Sequence, residues 1–288
     1  MGFFNAIFQA IIQGLTEFLP VSSSGHLSLY QHFTGNSGEG SLMFSAILHL
    51  GTLVAVFVAF RKTIIALIKE AVSLCKDVFT RKFSWKGMNP ERRMIMMIII
   101  STACLIPFYI FKDWFEGIAE DASIYAEGVC FLYTAAILFM SDRCVKKNKK
   151  PKDITTADAV TVGFFQGVAL LPGVSRSGST ISAGLFTGFS RSTAVQYSFI
   201  LGIPAILGGC LLEVKDAIKE DAVTVNFSEC LVGFVVAAFT GICAIKLVNW
   251  LVKSDKFKIF AYYTCILGVL VIIASIIEAI IGHPITIG

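Results

Sequence analysis

The chain has 288 residues, 55% of them hydrophobic and only 15% charged, with a formal net charge of +4 and a mean hydropathy of +0.75. Ordinary globular chains carry about 25% charged residues, so this composition excludes a soluble domain. It fits an all-α integral membrane protein, because a helix satisfies its backbone hydrogen bonds within itself.

In chain order, the first element is residues 3–33, an apolar stretch interrupted by polar residues. Within it, 13–27 read Q-G-L-T-E-F-L-P-V-S-S-S-G-H-L. The N-terminus has no positively charged leader and no small-residue cleavage site, so no cleavable signal is expected. Apolar runs of about the length a bilayer needs follow at 42–60, 94–111 and 127–141. A second polar interruption then comes within 158–190, where 166–180 read Q-G-V-A-L-L-P-G-V-S-R-S-G-S-T. Three more runs close the chain, at 192–212, 229–250 and 259–281. The two interrupted segments align without a gap at an offset of 153. Gln13 matches Gln166, Gly14 matches Gly167, Ser22 matches Ser175, Ser24 matches Ser177 and Gly25 matches Gly178.

Charge sets the orientation. Residues 61–93 hold nine Lys/Arg, 142–153 hold six and 251–258 hold three, against one Lys and five acids in 112–127 and two Lys and five acids in 213–229. Basic residues accumulate on the cytoplasmic side, so the first group is expected inside and the second outside. The stretch 24–33 is then only about 15 Å of helix, half a bilayer. Residues 3–33 are therefore expected to dip in from outside and return, and 158–190 to dip in from inside. The expected fold is an inverted-topology repeat, each half a re-entrant helical hairpin plus three spans. The halves are 1–141 and 158–288, joined by a cytoplasmic linker at 142–157. Broken helices in such repeats place their site near the midplane, where the breaks meet.

The chemistry of the breaks points to a polyanion. Ionisable side chains at membrane depth are a functional site by default. A half-helix starts near Ser23–Gly25 and another near Arg176–Gly178, and a helix N-terminus favours phosphate. Arg176 adds a fork of donors suited to phosphate oxygens, and Ser22, Ser24, Ser175, Ser177 and Thr180 add hydroxyls as substrate-binding groups. Glu17 would repel a diphosphate unless a cation lies between them. A magnesium or calcium ion held by Glu17, with Gln13 one turn earlier as a further ligand, resolves the conflict. Gln13 and Gln166 as backbone hydrogen-bonders at the breaks is an equal alternative. His26 is placed as acid, base or nucleophile. His49 either faces the cavity or packs, with packing support the favoured expectation, and His32 and His283 are expected to lie on the surface.

The eight cysteines are scattered without a C-x-x-C pair and are expected to behave as small hydrophobes. S-S-S-G-H matches one piece of a soluble acid phosphatase signature, but its other pieces are missing, as are the G-x-S-x-G elbow and the P-loop.

Q-G-L-T-E-F-L-P-V-S-S-S-G-H resembles the E-G-L-T-E-F-L-P-x-S-S-T-G-H segment of the undecaprenyl-diphosphatase family, the bacitracin-resistance membrane phosphatases. P-G-V-S-R-S-G-S-T at 172–180 resembles that family's P-G-x-S-R-S-x-x-T motif, and the likeness covers essentially the whole chain. It implies metal-dependent hydrolysis of undecaprenyl diphosphate to the monophosphate and inorganic phosphate, which recycles the lipid carrier of peptidoglycan synthesis and confers bacitracin resistance. The family's functional positions fall on Gln13, Glu17, Ser22, Ser23, His26, Ser175, Arg176 and Thr180. Many members have glutamate where this chain has Gln13, so a neutral ligand is expected there. The catalytic set expected is Glu17, Ser23, His26 and Arg176, with Ser23 as nucleophile and His26 as its base. His26 itself or a metal-bound water are the alternative nucleophiles. The expected partners are the lipid diphosphate and membrane lipids, with a homodimer allowed and no nucleic acid. The expected location is the bacterial cell membrane, with the site reached from the extracytoplasmic side. The rival function is a transporter or flippase of the polyprenyl phosphate carrier, since inverted repeats with broken helices are also a transporter architecture.

Overall fold

A computed structural model describes residues 2–35, 42–85, 87–111, 124–144, 148–219, 226–254 and 256–286. Among them the chain is helical, with one isolated parallel bridge joining Lys149 and Phe189. In order come α1 (Phe3–Thr16), α2 (Ser23–Phe33), α3 (Leu42–Ala59), α4 (Arg61–Phe79), α5 (Pro90–Ala103) and α6 (Leu105–Ile110). Then follow α7 (Tyr125–Asp142), a 3-10 turn (Pro151–Asp153), α8 (Thr156–Val168), α9 (Arg176–Phe186), α10 (Arg191–Lys219), α11 (Phe227–Lys253) and α12 (Lys258–Ile281).

Local chemistry explains the boundaries. Asn89 caps α5 through the Arg92 amide, with Pro90 at the first helical position, where its missing N–H costs nothing. Thr155 and Asp158 form a capping box at the start of α8, satisfying two orphan donors reciprocally. Gly282, at φ 76°, ends α12 in the left-handed conformation, which glycine adopts without a Cβ clash.

Five helical stretches are long and apolar enough to cross a membrane: α3, the run Pro90–Ile110, α10, Phe227–Val252 and α12. The sixth expected span, 127–141, falls on α7, a helix of 18 residues that is not among those five. Glu127 and Asp142 near its ends leave it less apolar than the other five. The span expected at 94–111 is broken at Cys104. Pro107 lacks the N–H that would bond the carbonyl of residue 103, and its ring crowds that turn. The span expected at 192–212 continues to Lys219. Parts of the two expected acidic outer connections, 112–123 and 220–225, lie outside the described residues, as does 36–41.

One helix was not expected at all. The basic stretch 61–93 is expected as a connection between spans, but its first part forms α4. Its lysines mask an apolar face, Ile64, Leu67 and Leu74, buried against the rest of the protein.

The packing pairs elements across the chain. α1 lies along α11 and α8 along α5, α9 packs on α7, α3 on α10, and α7 on α12. α2 meets α12 through Leu29 and Val271. Small residues permit the close crossings. A Cβ on Gly14 would collide with the Ala237 carbonyl of α11, and one on Gly163 with the Ser101 carbonyl of α5. The largest core cluster gathers Phe18, Tyr197, Phe199, Leu201, Ile245 and Phe257. Phe18, from the first polar break, meets Phe199 edge to face with ring centroids 5.3 Å apart. That contact anchors the break to α10.

Candidate active site

The two breaks are built alike. Ser22 caps α2 by accepting from the Gly25 amide at 3.2 Å, and Ser175 caps α9 by accepting from the Gly178 amide at 3.1 Å. In each, the capping hydroxyl also lies near the serine two residues on, Ser22 with Ser24 at 3.4 Å and Ser175 with Ser177 at 3.3 Å. Each cap satisfies one first-turn donor and leaves the dipole's positive end at the break. Ser22 reaches its position at φ 73°, a left-handed value that costs a non-glycine residue about 1–3 kcal/mol and persists only where surroundings enforce it.

Three bonds join one break to the other. The Gly173 amide donates to Ser24 Oγ at 3.1 Å, Ser177 Oγ donates to the Leu19 carbonyl at 3.1 Å, and Arg176 Nη2 donates to Glu17 Oε1 at 2.8 Å. Gly173 has φ 90° and its α-carbon faces Cys130 closely, so a side chain there would be strained and obstructed together.

A cavity of about 350 Å³ opens where the breaks meet. Glu17, Ser23, Ser24, His49, Ser175 and Arg176 line it, and Leu170, Leu171, Val174 and Ile206 supply an apolar wall. Ser23 Oγ donates to Glu17 Oε2 at 2.8 Å, and Gln13 Nε2 donates to the same oxygen at 2.9 Å. Glu17 is 7% exposed, so its charge depends on these donors and on Arg176. Burying a carboxylate is tolerable only with such partners. The guanidinium rests on Gly202, where a Cβ would strike it. Its Nη1 is buried and has no hydrogen-bond partner within the protein. The guanidinium, which lines the cavity, thus has donor capacity that the protein does not use, and an anion could take it up.

Several expected residues take other roles. Ser22 spends its hydroxyl on its cap. Ser177 spends its own on the opposite break. Thr180 Oγ donates to the Arg176 carbonyl at 2.9 Å and lies 2.6 Å from Ser198 Oγ. None of the three lines the cavity, because each is turned toward backbone or a neighbouring helix.

The expected pairing of Ser23 with His26 is absent. His26 Nδ1 lies 2.6 Å from the Ser22 carbonyl and Nε2 lies 2.7 Å from Tyr263 Oη, with the two rings stacked at 5.7 Å. A carbonyl only accepts, so Nδ1 carries the proton, and Nε2 is then the acceptor for the tyrosine hydroxyl. Both ring nitrogens are engaged away from Ser23. His26 thereby holds the strained Ser22 in place.

His49 is the reverse case. Expected to pack, it faces the cavity, with Nε2 4.0 Å from Glu17 and Nδ1 3.6 Å from Glu213. Ser45, one turn before it, donates to Glu213 at 2.9 Å. The spacing of Ser45 and His49 in an apolar span was a readable sign of one polar helix face. His32 is not a free surface residue, because it pairs with Glu278 at 2.7 Å; His283 is exposed.

Among the described residues no group of three or more His, Cys, Asp or Glu gathers as a metal site. Two oxygens nevertheless fit a cation. Gln13 Oε1 is buried without a partner. Glu17 Oε1 accepts a single hydrogen bond, short of the two lone pairs each carboxylate oxygen offers. The arrangement can bind an oxyanion through Arg176 and two helix N-termini and present it to an oriented hydroxyl.

A family model described as bacitracin resistance protein BacA matches residues 6–270. The chain is 37% identical over 278 residues to an undecaprenyl-diphosphatase of Alkaliphilus metalliredigens, covering 95% of this chain and 99% of that protein. It is 40% identical over 280 residues to one of Methanosphaera stadtmanae (95% and 98%). To one of Halothermothrix orenii it is 36% identical over 277 residues (96% and 99%).

Proposed function

The chain belongs to the bacitracin resistance protein BacA family, and from that premise we infer that it is an undecaprenyl-diphosphatase. It is a multi-pass membrane enzyme that hydrolyses undecaprenyl diphosphate to undecaprenyl phosphate and inorganic phosphate. The observation that carries this for the chain itself is the cavity where Arg176 of one break meets Glu17 and Ser23 of the other.

The fold behind this site is read as an inverted repeat. Adding the offset of 153 to α2 gives the bounds of α9, and adding it to α1 comes within a residue of α8. The packing of α1 on α11 repeats as that of α8 on α5, and that of α2 on α12 repeats as that of α9 on α7. Such an exchange is what two copies of one unit produce when interleaved. With the basic connections inside, the first hairpin enters from the extracytoplasmic face of the bacterial cell membrane, and so does the substrate's head group.

Ser23 is the nucleophile. Its hydroxyl proton already points at Glu17 Oε2, so its lone pairs face the cavity. Ser23 Oγ attacks the terminal phosphorus, the bond from that phosphorus to the bridging oxygen breaks, and the lipid monophosphate leaves with the bridging oxygen. The proton passes to Glu17. Water then attacks the phosphoserine, Glu17 gives its proton to Ser23 Oγ as the bond from Oγ to phosphorus breaks, and inorganic phosphate leaves with the oxygen and protons of the water. Arg176 Nη1 and the N-termini of α2 and α9 hold the phosphoryl oxygens, most of the work being positioning and charge stabilisation. Gln13 and Glu17 would hold a magnesium or calcium ion that takes its remaining ligands from the diphosphate. When bound, that ion neutralises charge on the phosphoryl oxygens.

The test is phosphate release from undecaprenyl diphosphate by purified protein in detergent, where no second compartment exists. Release is expected, is expected to stop on chelation with EDTA, and is expected to return with added magnesium or calcium. No release would end the enzymatic reading, and release undiminished by chelation would end the metal assignment.

Tyr263→Phe is expected to lower turnover roughly fivefold, the worth of one hydrogen bond of about 1 kcal/mol, with KM little changed. A fall in KM-determined affinity instead would place Tyr263 on the substrate and not behind His26.

A further inference from the structure

A second cavity, about 470 Å³, opens on the basic side of the protein between α4, the start of α5, the 3-10 turn and α10. Lys62, Lys150 and Lys152 line it, and Glu91 is the one acid in its lining. All three lysines are exposed. None is paired with a carboxylate among the described residues, whereas neighbouring cations are. Lys149 holds Asp158 at 2.8 Å, and Arg92 holds Glu70 and Asp77. The cavity therefore keeps an excess of two positive charges facing open space, the complement of a phosphate group.

The surroundings say which phosphate. On α4 the lysines recur at seven-residue spacing, Lys62, Lys69 and Lys76. Beside them Ile65, Ile68 and Val72 are 52%, 57% and 68% exposed. At about 100° per residue, the lysine row falls between this apolar stripe and Thr63 and Ala66 on the cavity wall. A helix with an apolar stripe edged by lysines lies in the plane of the membrane interface, its cations at head-group level. The cavity beside it is partly apolar as well, through Leu67, Pro90 and Met94. A soluble anion has no use for that stripe, but a lipid has a use for both.

We propose that this cavity binds the phosphate head group of an anionic lipid drawn from the membrane leaflet that the outward stripe of α4 faces. The site shares no residue with the cavity that holds Glu17 and Arg176.

The test is native mass spectrometry of the full chain in detergent with equal amounts of palmitoyl-oleoyl phosphatidylglycerol and the corresponding phosphatidylcholine. The native protein is expected to carry the phosphatidylglycerol in preference. K62Q/K150Q/K152Q is expected to bind it roughly a hundredfold more weakly, from three lysines near one phosphate, while K69Q/K76Q, outside the cavity, is expected to bind as the native protein does. Millimolar inorganic phosphate is expected to leave the lipid in place. Equal binding by the native and triple-variant proteins overturns the proposal, as does equal uptake of the two lipids. Displacement by inorganic phosphate overturns it in favour of a free-anion site. Retained phosphate release confirms that the triple variant is folded. Should it not be, the single variant K152Q on the exposed 3-10 turn has to weaken lipid binding several-fold by the same measurement.

Discussion

Ser23→Ala is expected to lower phosphate release by at least about 10³-fold, the scale seen when a covalent nucleophile is removed from its assembly. The fold should hardly register the change. Ser23 is only partly buried, and Glu17 Oε2 keeps its bond from Gln13, so the cost is that of one hydrogen bond, about 1 kcal/mol. The two measurements together decide the matter: turnover by phosphate release, and the thermal midpoint in detergent. Activity within tenfold of the native enzyme, at an unchanged midpoint, would hand the attack to water and leave Ser23 a spectator that orients Glu17.

Arg176→Ala is expected to be worse still. An arginine on a transferring phosphoryl group is worth about 10³–10⁵ in turnover, and here the same side chain also neutralises Glu17. Removing one member of a buried pair strands the other, at about 3–5 kcal/mol. Arg176→Ala should therefore lose activity and stability together. Arg176→Lys separates the two effects. It keeps a charge beside Glu17, so the midpoint should largely recover. It cannot offer one donor to the carboxylate and a second to the ligand in a planar fork, so activity should remain far below native. If Arg176→Lys restored full turnover, the unpartnered Nη1 would have no part in the chemistry.

Much of the site was legible in the residues because polar groups at membrane depth are costly and so stand out. The repeated Gln-Gly and Ser-x-Ser-Gly spacing identified the breaks, and Glu17, Ser23 and Arg176 do meet. What could not be read was the direction of each side chain. Thr180 and Ser177 look like ligand groups until their hydroxyls are found bonded to the Arg176 and Leu19 carbonyls. His26, three residues from Ser23 in sequence, sits on the same helix face as Ser22 and so points to the Ser22 carbonyl and Tyr263. Tyr263 gave no warning, since an aromatic residue near the end of a span reads equally well as an interface anchor. The helix α4 was hidden by its own charge, and the Cys104 break by a run of apolar residues in which only Ser101, Thr102 and Pro107 differed.

The bonds that tie the two breaks together connect residues made far apart in time. Ser24 and Leu19 leave the ribosome about 150 residues ahead of Gly173 and Ser177, which is roughly 8–30 s of synthesis at about 5–20 residues per second. Until then Glu17 has only its local donors, Gln13 and Ser23, without the charge of Arg176, and the Leu19 carbonyl lacks its partner. The second hairpin is thus the element whose arrival lets the first one settle.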